Sequence, residues 1–284
     1  MHSKLNAFKK IFKKETGPRN TLEIARVSDL IEKGFDINLL ANEFIRIDKE
    51  VWQDITNSQY FWTKEMLKSH FQICPQILYC AFENGKMVAT LINLFTTEAD
   101  LKENKSWLEK TGNGFLTTHR PDGDIGFGVD LSVLREASRK VSDKIVLTAI
   151  FISVLGERLK SVYLGARIPS YHKHKHLKVE DYVFGKRKSG KPLDPELYFY
   201  QKLGFEIVEI IPEYMEDPES LNYGVLIRWN NPIYQTTKTF PFLKSIIKYI
   251  GKKIFIRVPE LPHKITIGVD KPAKTSSDGT LRIK

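Results

Sequence analysis

The sequence contains only two cysteines among its 284 residues, Cys74 and Cys80, and their spacing fits no metal-binding motif. We therefore expect two buried, reduced thiols rather than a disulfide or a nucleophile. No uninterrupted apolar run reaches the roughly 18 residues that a membrane-spanning helix needs. The first residues also lack the apolar core of a signal peptide, so these absences favour a cytoplasmic location.

Positive charge is scarce in the middle of the chain and concentrated at its ends. The net charge is +10, yet residues 1–20 hold six Lys or Arg against one Glu, and residues 233–284 hold eleven against three acids. The middle of the chain is therefore weakly acidic. A nucleic-acid groove would need positive charge on the body of the domain, so specific nucleic-acid binding is not expected.

Both ends carry a basic amphipathic pattern, in residues 1–17 and 239–253. Two interpretations are open: these segments adsorb to an anionic membrane surface as peripheral contacts, or they pack on the body or on a second subunit of a homodimer. Residues 253–258 have a strand-like composition. The pattern divides the chain into a basic N-terminal extension (1–20), a compact domain (21–232), a basic C-terminal extension (233–270) and a tail predicted to be disordered (271–284).

The compact domain alternates between strand and helix patterns. Asn84-Gly85 lies between two apolar runs and predicts a hairpin, and Gly204 follows a short helix where a left-handed cap is expected. Residues 98–114 and 170–196 are polar and are interpreted as insertions. The predicted strands are 21–26, 76–83, 86–95, 125–133, 161–168, 205–211 and 223–229, with helices after the first strand and at 143–159 and 195–203.

A strand–loop–helix–strand unit at residues 124–171 organises this domain. Its order, with an apolar strand, a basic polar loop, a long apolar-faced helix and a second strand, is typical of the crossover between parallel strands. Backbone N–H groups and the positive end of the helix converge at the loop before the helix. That loop is therefore the expected anion site.

Spaced motifs occur in a fixed order along the domain. They read WLEKTGNG at 107–114, THRPDGD at 118–124, GARIPSYHKH at 165–174, LDPELYF at 193–199, YFYQKLGF at 198–205, EYMEDPESLNYG at 213–224 and WNNP at 229–232. This order resembles the GNAT N-acyltransferase superfamily. It is most similar to the acyltransferase domain often fused to a carbon–nitrogen hydrolase (nitrilase-like) domain. The resemblance covers residues 21–232.

The resemblance implies an α/β (α+β) GNAT fold, a mixed twisted central sheet with helices on both faces that splays beside its central strand. Acyl-CoA would lie in the splay as cosubstrate, without a metal. Its pantetheine would pair with backbone groups of Leu131, Ser132 and Val133. The superfamily's pyrophosphate loop, Arg/Gln-x-x-Gly-x-Gly/Ala, falls in its best register on Arg139, Lys140, Val141, Ser142, Asp143 and Lys144.

Both glycines of that loop are replaced, by Ser142 and Lys144. Glycine lets the backbone approach a phosphate closely and adopts positive φ without strain. Ser142 can donate a hydrogen bond from its hydroxyl to a phosphate, whereas Lys144 either attracts the phosphates or blocks the loop. Asp143 adds a negative charge there, or serves as a cap of the helix start.

The resemblance also indicates catalytic residues. Tyr200 matches the late-helix tyrosine that protonates the leaving thiolate; alternatively, it is a packing residue beside its aromatic neighbours. Asp130 is the candidate base toward the amine, since it shares one face of the predicted strand with Asp124 and lies nearer the splay. A structural role for Asp130 remains open, and His119 is a second candidate base.

Three alternating histidines, His172, His174 and His176, could approach a metal if they lay on a strand. Lysines intervene and no carboxylate or cysteine is interleaved. A solvated basic loop beside the CoA phosphates is therefore the favoured interpretation, and no metal is expected.

The leading hypothesis is transfer of an acyl group, acetyl first, from CoA to a primary amine by direct attack in a ternary complex. No activated Cys or Ser indicates a covalent intermediate. One alternative is a non-catalytic GNAT-fold binding module. Another is a transferase of longer acyl chains from acyl-CoA or an acyl carrier protein. The motifs do not specify the acceptor amine.

Overall fold

A seven-stranded mixed sheet forms the centre of the computed structural model, which describes residues 22–103, 106–155 and 159–256. Its strand order is β1-β2-β3-β4-β5-β7-β6, and β4 and β5 are the parallel neighbours. The strands are Leu22–Arg26 (β1), Tyr79–Glu83 (β2), Lys86–Thr96 (β3), Ile125–Val133 (β4), Ser161–Ala166 (β5), Glu206–Ile211 (β6) and Gly224–Asn230 (β7). The predicted mixed sheet is confirmed.

Helices pack on both faces of this sheet. They are Val27–Glu32 (α1), Ile37–Trp52 (α2), Lys64–Ile73 (α3), Glu98–Glu103 (α4), Trp107–Thr111 (α5), Val141–Ala149 (α6), Val179–Phe184 (α7), Pro195–Lys202 (α8), Tyr234–Thr239 (α9) and Pro241–Phe255 (α10). Helix α6 continues into a π-helical turn, Ile150–Leu155. Within the described ranges, no helix has both the length and the apolar character needed to cross a membrane.

Local sequence signals explain several element boundaries. Asn84 and Gly85 have φ values of 52° and 76°, as the predicted two-residue hairpin between β2 and β3 requires. The Asp194 carboxylate accepts hydrogen bonds from the N–H groups of Glu196 and Leu197, which caps α8. Gly204 ends that helix with a φ of 94°, so the predicted left-handed cap is confirmed.

Strands β4 and β5 diverge after a short paired stretch. Their pairing runs from Ile125 with Ser161 to Gly128 with Leu164, while β4 continues to Val133. A bulge at Val129 interrupts the pairing of β4 with β3, because the register passes from Gly128 to Asp130. The divergence opens the sheet beside its central strand, and this splay contains the cleft described below.

The bulge changes which side chains of β4 lie on the same face of the sheet. An extra residue in a strand shifts the alternation of side chains from one face to the other. The prediction that Asp124 and Asp130 share a face is therefore wrong. Asp124 lies just before β4, exposed and away from the cleft that Asp130 lines.

The C-terminal helix α10 packs against the π-helical turn of the body. Its residues Lys253, Ile254 and Phe255 are helical, so the strand-like interpretation of residues 253–258 is wrong for this part. The basic segment 1–17 and the tail 271–284 lie outside the described residues. Cys74 and Cys80 are buried free thiols, as predicted, and burial raises the pKa of Cys74 to about 12.

Candidate active site

A cleft of about 1120 Å³, measured out to its open mouth, passes through the splay between β4 and β5. Helices α2 and α6 contribute to its lining, as do β4, β5 and α8. The polar and aromatic residues that line it are Asp48, Trp52, Thr56, Tyr60, Trp62, Asn93, Phe95, Trp107, Asp130, Ser153, Arg167, Glu196, Tyr200, Phe205 and Tyr214. It is the place where the predicted catalytic residues meet.

Two loops, residues 53–63 and 212–223, join to form one wall of the cleft. The Thr56 hydroxyl donates to the Glu216 carbonyl (2.6 Å), and the Glu216 N–H donates to the Tyr60 hydroxyl (3.1 Å). Asn57 donates a further hydrogen bond to the Glu216 side chain. Because Thr56 and Tyr60 also line the cleft, these bonds fix the shape of its wall.

Two carboxylates face each other in this cleft. The Asp130 carboxylate accepts a hydrogen bond from Ser132 Oγ (3.0 Å to each oxygen), which in turn accepts one from Trp52 Nε1 (2.7 Å). Asp48, on α2, is 2% exposed and accepts a hydrogen bond from the Trp62 N–H (2.9 Å). Asp130 is half-buried and lines the cleft.

Burial raises the pKa of both carboxyls above its ordinary value. Desolvation is the largest cause for each, and the negative charge of Asp130 raises the pKa of Asp48 further. The hydrogen bond from Ser132 opposes the rise at Asp130. The two groups therefore act as a pair that retains a proton at a pH where exposed carboxyls have lost theirs.

Tyr200 packs beside its aromatic neighbours and also lines the cleft, so its catalytic role stays a prediction. Its ring packs at 4.9 Å from the Phe199 ring and 5.4 Å from the Phe205 ring, centroid to centroid, and the residue lines the cleft. Burial, followed by the charges of Glu196 and Asp130, raises its pKa well above the usual value of a phenol. The hydroxyl therefore stays protonated, which is the form that an acid catalyst requires.

Sequence reasoning missed Glu196 and Arg167. The Glu196 carboxylate accepts a hydrogen bond from the Arg167 backbone N–H (3.3 Å), and burial raises its pKa to about 7. The Arg167 guanidinium donates to Asp217 (2.7 and 2.9 Å) and to Glu219 (2.9 Å). These carboxylates raise its pKa against the effect of burial, so its charge is already neutralised within the protein.

The helix that follows the predicted pyrophosphate loop begins two residues earlier than expected. Helix α6 starts at Val141, so Ser142, Asp143 and Lys144 belong to its first turn rather than to the loop. The Asp143 carboxylate pairs with Lys202 Nζ (3.0 Å) on α8. The alternative that Asp143 caps the helix is therefore wrong, and its negative charge is partly neutralised there.

The loop itself has exposed cations and one occupied donor. Arg139 and Lys140 are exposed at the start of α6. The Ser138 N–H donates to the Glu83 carboxylate (3.0 Å), so a protein carboxylate occupies one of the backbone donors of this loop. Leu131, Ser132 and Val133 pair with β3 along one edge, and Leu131 lines the cleft.

The histidine alternatives lie elsewhere. His119 Nδ1 accepts the Phe95 N–H (2.9 Å) outside the cleft lining, and burial lowers its pKa, so it is placed as a structural residue rather than as the base. The segment Tyr171–His174 is a 3₁₀ turn, in which the rings of His172 and His174 bond to backbone carbonyls instead of aligning on a strand. Across the described ranges, no group of three or more His, Cys, Asp or Glu side chains could hold a metal ion.

Two curated Bacillus subtilis proteins are similar in sequence. One is an uncharacterized N-acetyltransferase, YkwB, 29% identical over 196 residues that cover 67% of this chain and 84% of that protein. The other is a probable hydrolase, YhcX, 29% identical over 226 residues that cover 76% of this chain and 44% of that protein. No family model matches the sequence.

Solved structures agree on the architecture. The loading GNAT-like domain of CurA from Lyngbya majuscula superposes with a TM-score of 0.62 at 17% identity, covering 76% of this chain and 100% of that domain. The GNAT-like decarboxylase GphF, in complex with isobutyryl-CoA, gives 0.57 at 19% identity, covering 74% of this chain and 98% of that one. These similarities define the fold as GNAT.

The chain has the GNAT fold and is similar in sequence to an N-acetyltransferase, in agreement with the superfamily that its motifs resemble. Sheet order, splay and motif order all agree with this assignment. The finer resemblance, to the domain fused to carbon–nitrogen hydrolases, stays a prediction. The match to the probable hydrolase covers less than half of that protein.

Proposed function

We propose that this protein transfers an acyl group, acetyl first, from acyl-CoA to a primary amine by direct attack in a ternary complex. The observation that carries the proposal is that Asp130 on β4 and Tyr200 on α8 line one cleft in the splay. The acyl-CoA complex of the structurally similar GphF supports acyl-CoA as the cosubstrate. A cytoplasmic location is part of the proposal.

The chemistry needs one proton acceptor and one proton donor. Asp130 accepts a proton from the ammonium group of the acceptor, and the freed nitrogen attacks the thioester carbonyl. The new C–N bond forms as the C–S bond breaks. Tyr200 then protonates the departing CoA thiolate, and the second proton lost by the nitrogen restores the Tyr200 phenol.

The CoA moiety would follow the edge of β4. Backbone groups of Leu131, Ser132 and Val133 would pair with pantetheine, since β4 has no strand partner on the β5 side after Gly128 within the described residues. The pyrophosphate would lie at the start of α6, near the exposed Arg139 and Lys140. Val141, Ser142, Asp143 and Lys144 complete this proposed site as the first turn of the helix.

Calorimetry with acetyl-CoA, CoA and a long-chain acyl-CoA tests the cosubstrate. We expect acetyl-CoA to bind at micromolar concentrations. Binding of none of the three would leave the non-catalytic GNAT-fold module as the better description. Much tighter binding of the long-chain thioester would favour the longer-chain transferase, to be tested next with an acyl carrier protein, whose acidic surface suits the basic ends of this chain.

Decarboxylation, the activity named for GphF, is the less suitable candidate. A carboxylated acyl group would meet Asp48, Asp130 and Glu196 in this cleft. The cation there, Arg167, already binds two carboxylates. The electrostatics of the cleft thus favour an amine acceptor over an acidic acyl group.

Replacing Tyr200 by phenylalanine should lower kcat by about 10²-fold and leave the affinity for acetyl-CoA unchanged. The ring packing is retained and only the hydroxyl is lost. Steady-state kinetics together with calorimetry measure the two effects. Tyr198→Phe, on an exposed position of the same helix, is the matched control. Loss of acetyl-CoA binding in Tyr200→Phe would instead make this tyrosine a ligand of the cosubstrate.

We also propose that α10 contacts an anionic membrane surface. On this helix Phe242 is 62% exposed and Tyr249 is 60% exposed. Ile246 lies between them in the sequence, and Lys253 follows about one helical turn after Tyr249. We expect the full chain to float with phosphatidylglycerol vesicles and not with phosphatidylcholine vesicles. The double variant Phe242→Ser/Tyr249→Ser should lose flotation. A wild-type chain that stays unbound and sediments as a dimer would support the homodimer instead.

A further inference from the structure

The inner part of the cleft holds three carboxyl groups, and among the lining residues that the structure describes no cation is left unpaired to compensate them. Asp48, Asp130 and Glu196 line it together. Among the lining residues that the structure describes, Arg167 is the cationic one, and Asp217 and Glu219 hold its guanidinium. Buried carboxylates are costly unless a cation compensates them. A ligand that brings its own cation would supply what this cluster lacks.

Aromatic rings enclose the same region. The Trp107 ring lies 5.7 Å from the Tyr60 ring and 5.5 Å from the Trp62 ring, centroid to centroid, and Trp52 extends the wall beside Arg167. Indole and phenol faces attract ammonium groups and also pack against apolar carbon. The enclosure therefore suits an organic cation with an apolar body.

Two buried polar atoms in this region lack a hydrogen bond of good geometry within the protein. Trp62 Nε1 lies toward Asp130, and the hydroxyl of Tyr214, a residue 2% exposed, lies toward the Gly165 backbone, but neither is well bonded there. Both residues line the cleft. Buried polar groups are normally satisfied, so these two indicate a place that a polar ligand completes.

We infer that the acceptor is a compact organic amine with an apolar body and no carboxylate, and that Asp48 acts with Asp130 to select it. This inference rests on the proposed acyl transfer and narrows its acceptor class. The ammonium group would lie between Asp48 and Asp130, with the apolar body against Trp62 and Trp107. An amino acid would bring its own carboxylate against this acidic cluster, and the cation among the described lining residues, Arg167, is already paired.

The carboxylate pair predicts an effect of amine binding, the release of a proton, that can be measured without catalysis. Asp48 and Asp130 retain a proton before an amine binds, because burial and their mutual repulsion disfavour two charges. An incoming ammonium stabilises both charges, so the retained proton leaves. Binding of the amine should therefore release protons into the buffer, in a quantity that depends on Asp48.

The test uses two matched pairs of acceptors, tyramine against tyrosine and putrescine against ornithine, with acetyl-CoA as donor. We expect kcat/KM to favour the member without a carboxylate by about 100-fold or more in each pair. Asp48→Asn should reduce this discrimination to under about 10-fold, while its amide oxygen can still accept the Trp62 N–H. Asp124→Asn removes an equal charge at an exposed position outside the cleft lining and should leave the discrimination unchanged.

A binding experiment separates this inference from the proposed activity. Calorimetry of tyramine and of tyrosine with the CoA-saturated protein, in phosphate and in Tris, measures affinity and proton release without turnover. Selective tyramine binding with proton release upholds the inference even if no acetyl group is transferred. Equal or tighter binding of tyrosine, or no binding of tyramine, overturns it. Transfer to amino acids at equal rates would overturn it while leaving the proposed acyl transfer intact.

Discussion

Replacing Asp130 by asparagine should lower kcat/KM for the acceptor amine by about 10²–10⁴-fold and leave the affinity for acetyl-CoA unchanged. The asparagine side chain has nearly the same shape, and its carbonyl oxygen can still accept the hydrogen bond from Ser132. It cannot accept a proton from the ammonium group. Initial rates at several amine concentrations, with calorimetry for acetyl-CoA, give the two quantities.

The exposed Asp124 supplies the control for this experiment. It precedes β4, lies outside the cleft lining, and can be changed to asparagine with the same loss of charge. We expect Asp124→Asn to retain full activity. If Asp130→Asn were equally active, Asp130 would be a structural residue and the proton would have to leave through another group.

The pH dependence of the same variant gives a second readout. Burial raises the pKa of Asp130, so the fraction of the wild-type protein with a free base increases with pH through a range above that of exposed carboxyls. The kcat/KM of the wild type should rise through this range, and Asp130→Asn should lose the rise.

The pKa of the Asp130 carboxyl is higher in the folded protein than in the unfolded chain. Its contribution to folding stability therefore falls as pH rises above the unfolded pKa. Asp130→Asn should accordingly be more stable than the wild type toward alkaline pH.

Sequence patterns determined much of this fold because its signals are local. The hairpin at Asn84-Gly85 and the cap at Gly204 follow from backbone angles that few other residues adopt. The strand β4 was predicted to its end residues, since it is rich in β-branched and aromatic residues and contains no proline. The start of α6 was misplaced by two residues because no side chain caps it. Without a Ser, Thr, Asp or Asn at that position, the boundary has no local signature.

The active site was only half predictable, since its parts come from distant segments. Asp130 and Tyr200 were inferred from the superfamily motifs and do line one cleft. Asp48 was missed, although it occupies the buried face of α2 four residues after Phe44. An acid at a core-facing helical position is a usable signal. The pairing of Arg167 with Asp217 joins residues 50 apart in sequence, and no local pattern specifies such a contact.

The ion pair between Arg167 and Asp217 yields the largest expected effect on stability. Their side chains are 10% and 0% exposed, and the guanidinium makes two hydrogen bonds to this carboxylate. Arg167→Ala should destabilise the fold by about 3–5 kcal/mol, because it leaves the Asp217 charge buried without its partner. Urea unfolding followed by circular dichroism measures the change.

Two further variants distinguish loss of the pair from loss of side-chain volume. Arg167→Met keeps much of the apolar stem and should still be strongly destabilised, whereas adding Asp217→Asn to it should restore a large part of the stability, since no charge then remains buried alone. Lys102→Ala, which removes an exposed pair with Glu98, should have no measurable effect. If Arg167→Met alone were as stable as the wild type, the Asp217 carboxylate would be satisfied by its other hydrogen bonds. Arg167 would then be available to a ligand in the cleft, and the argument that this cleft selects cations would lose its electrostatic basis.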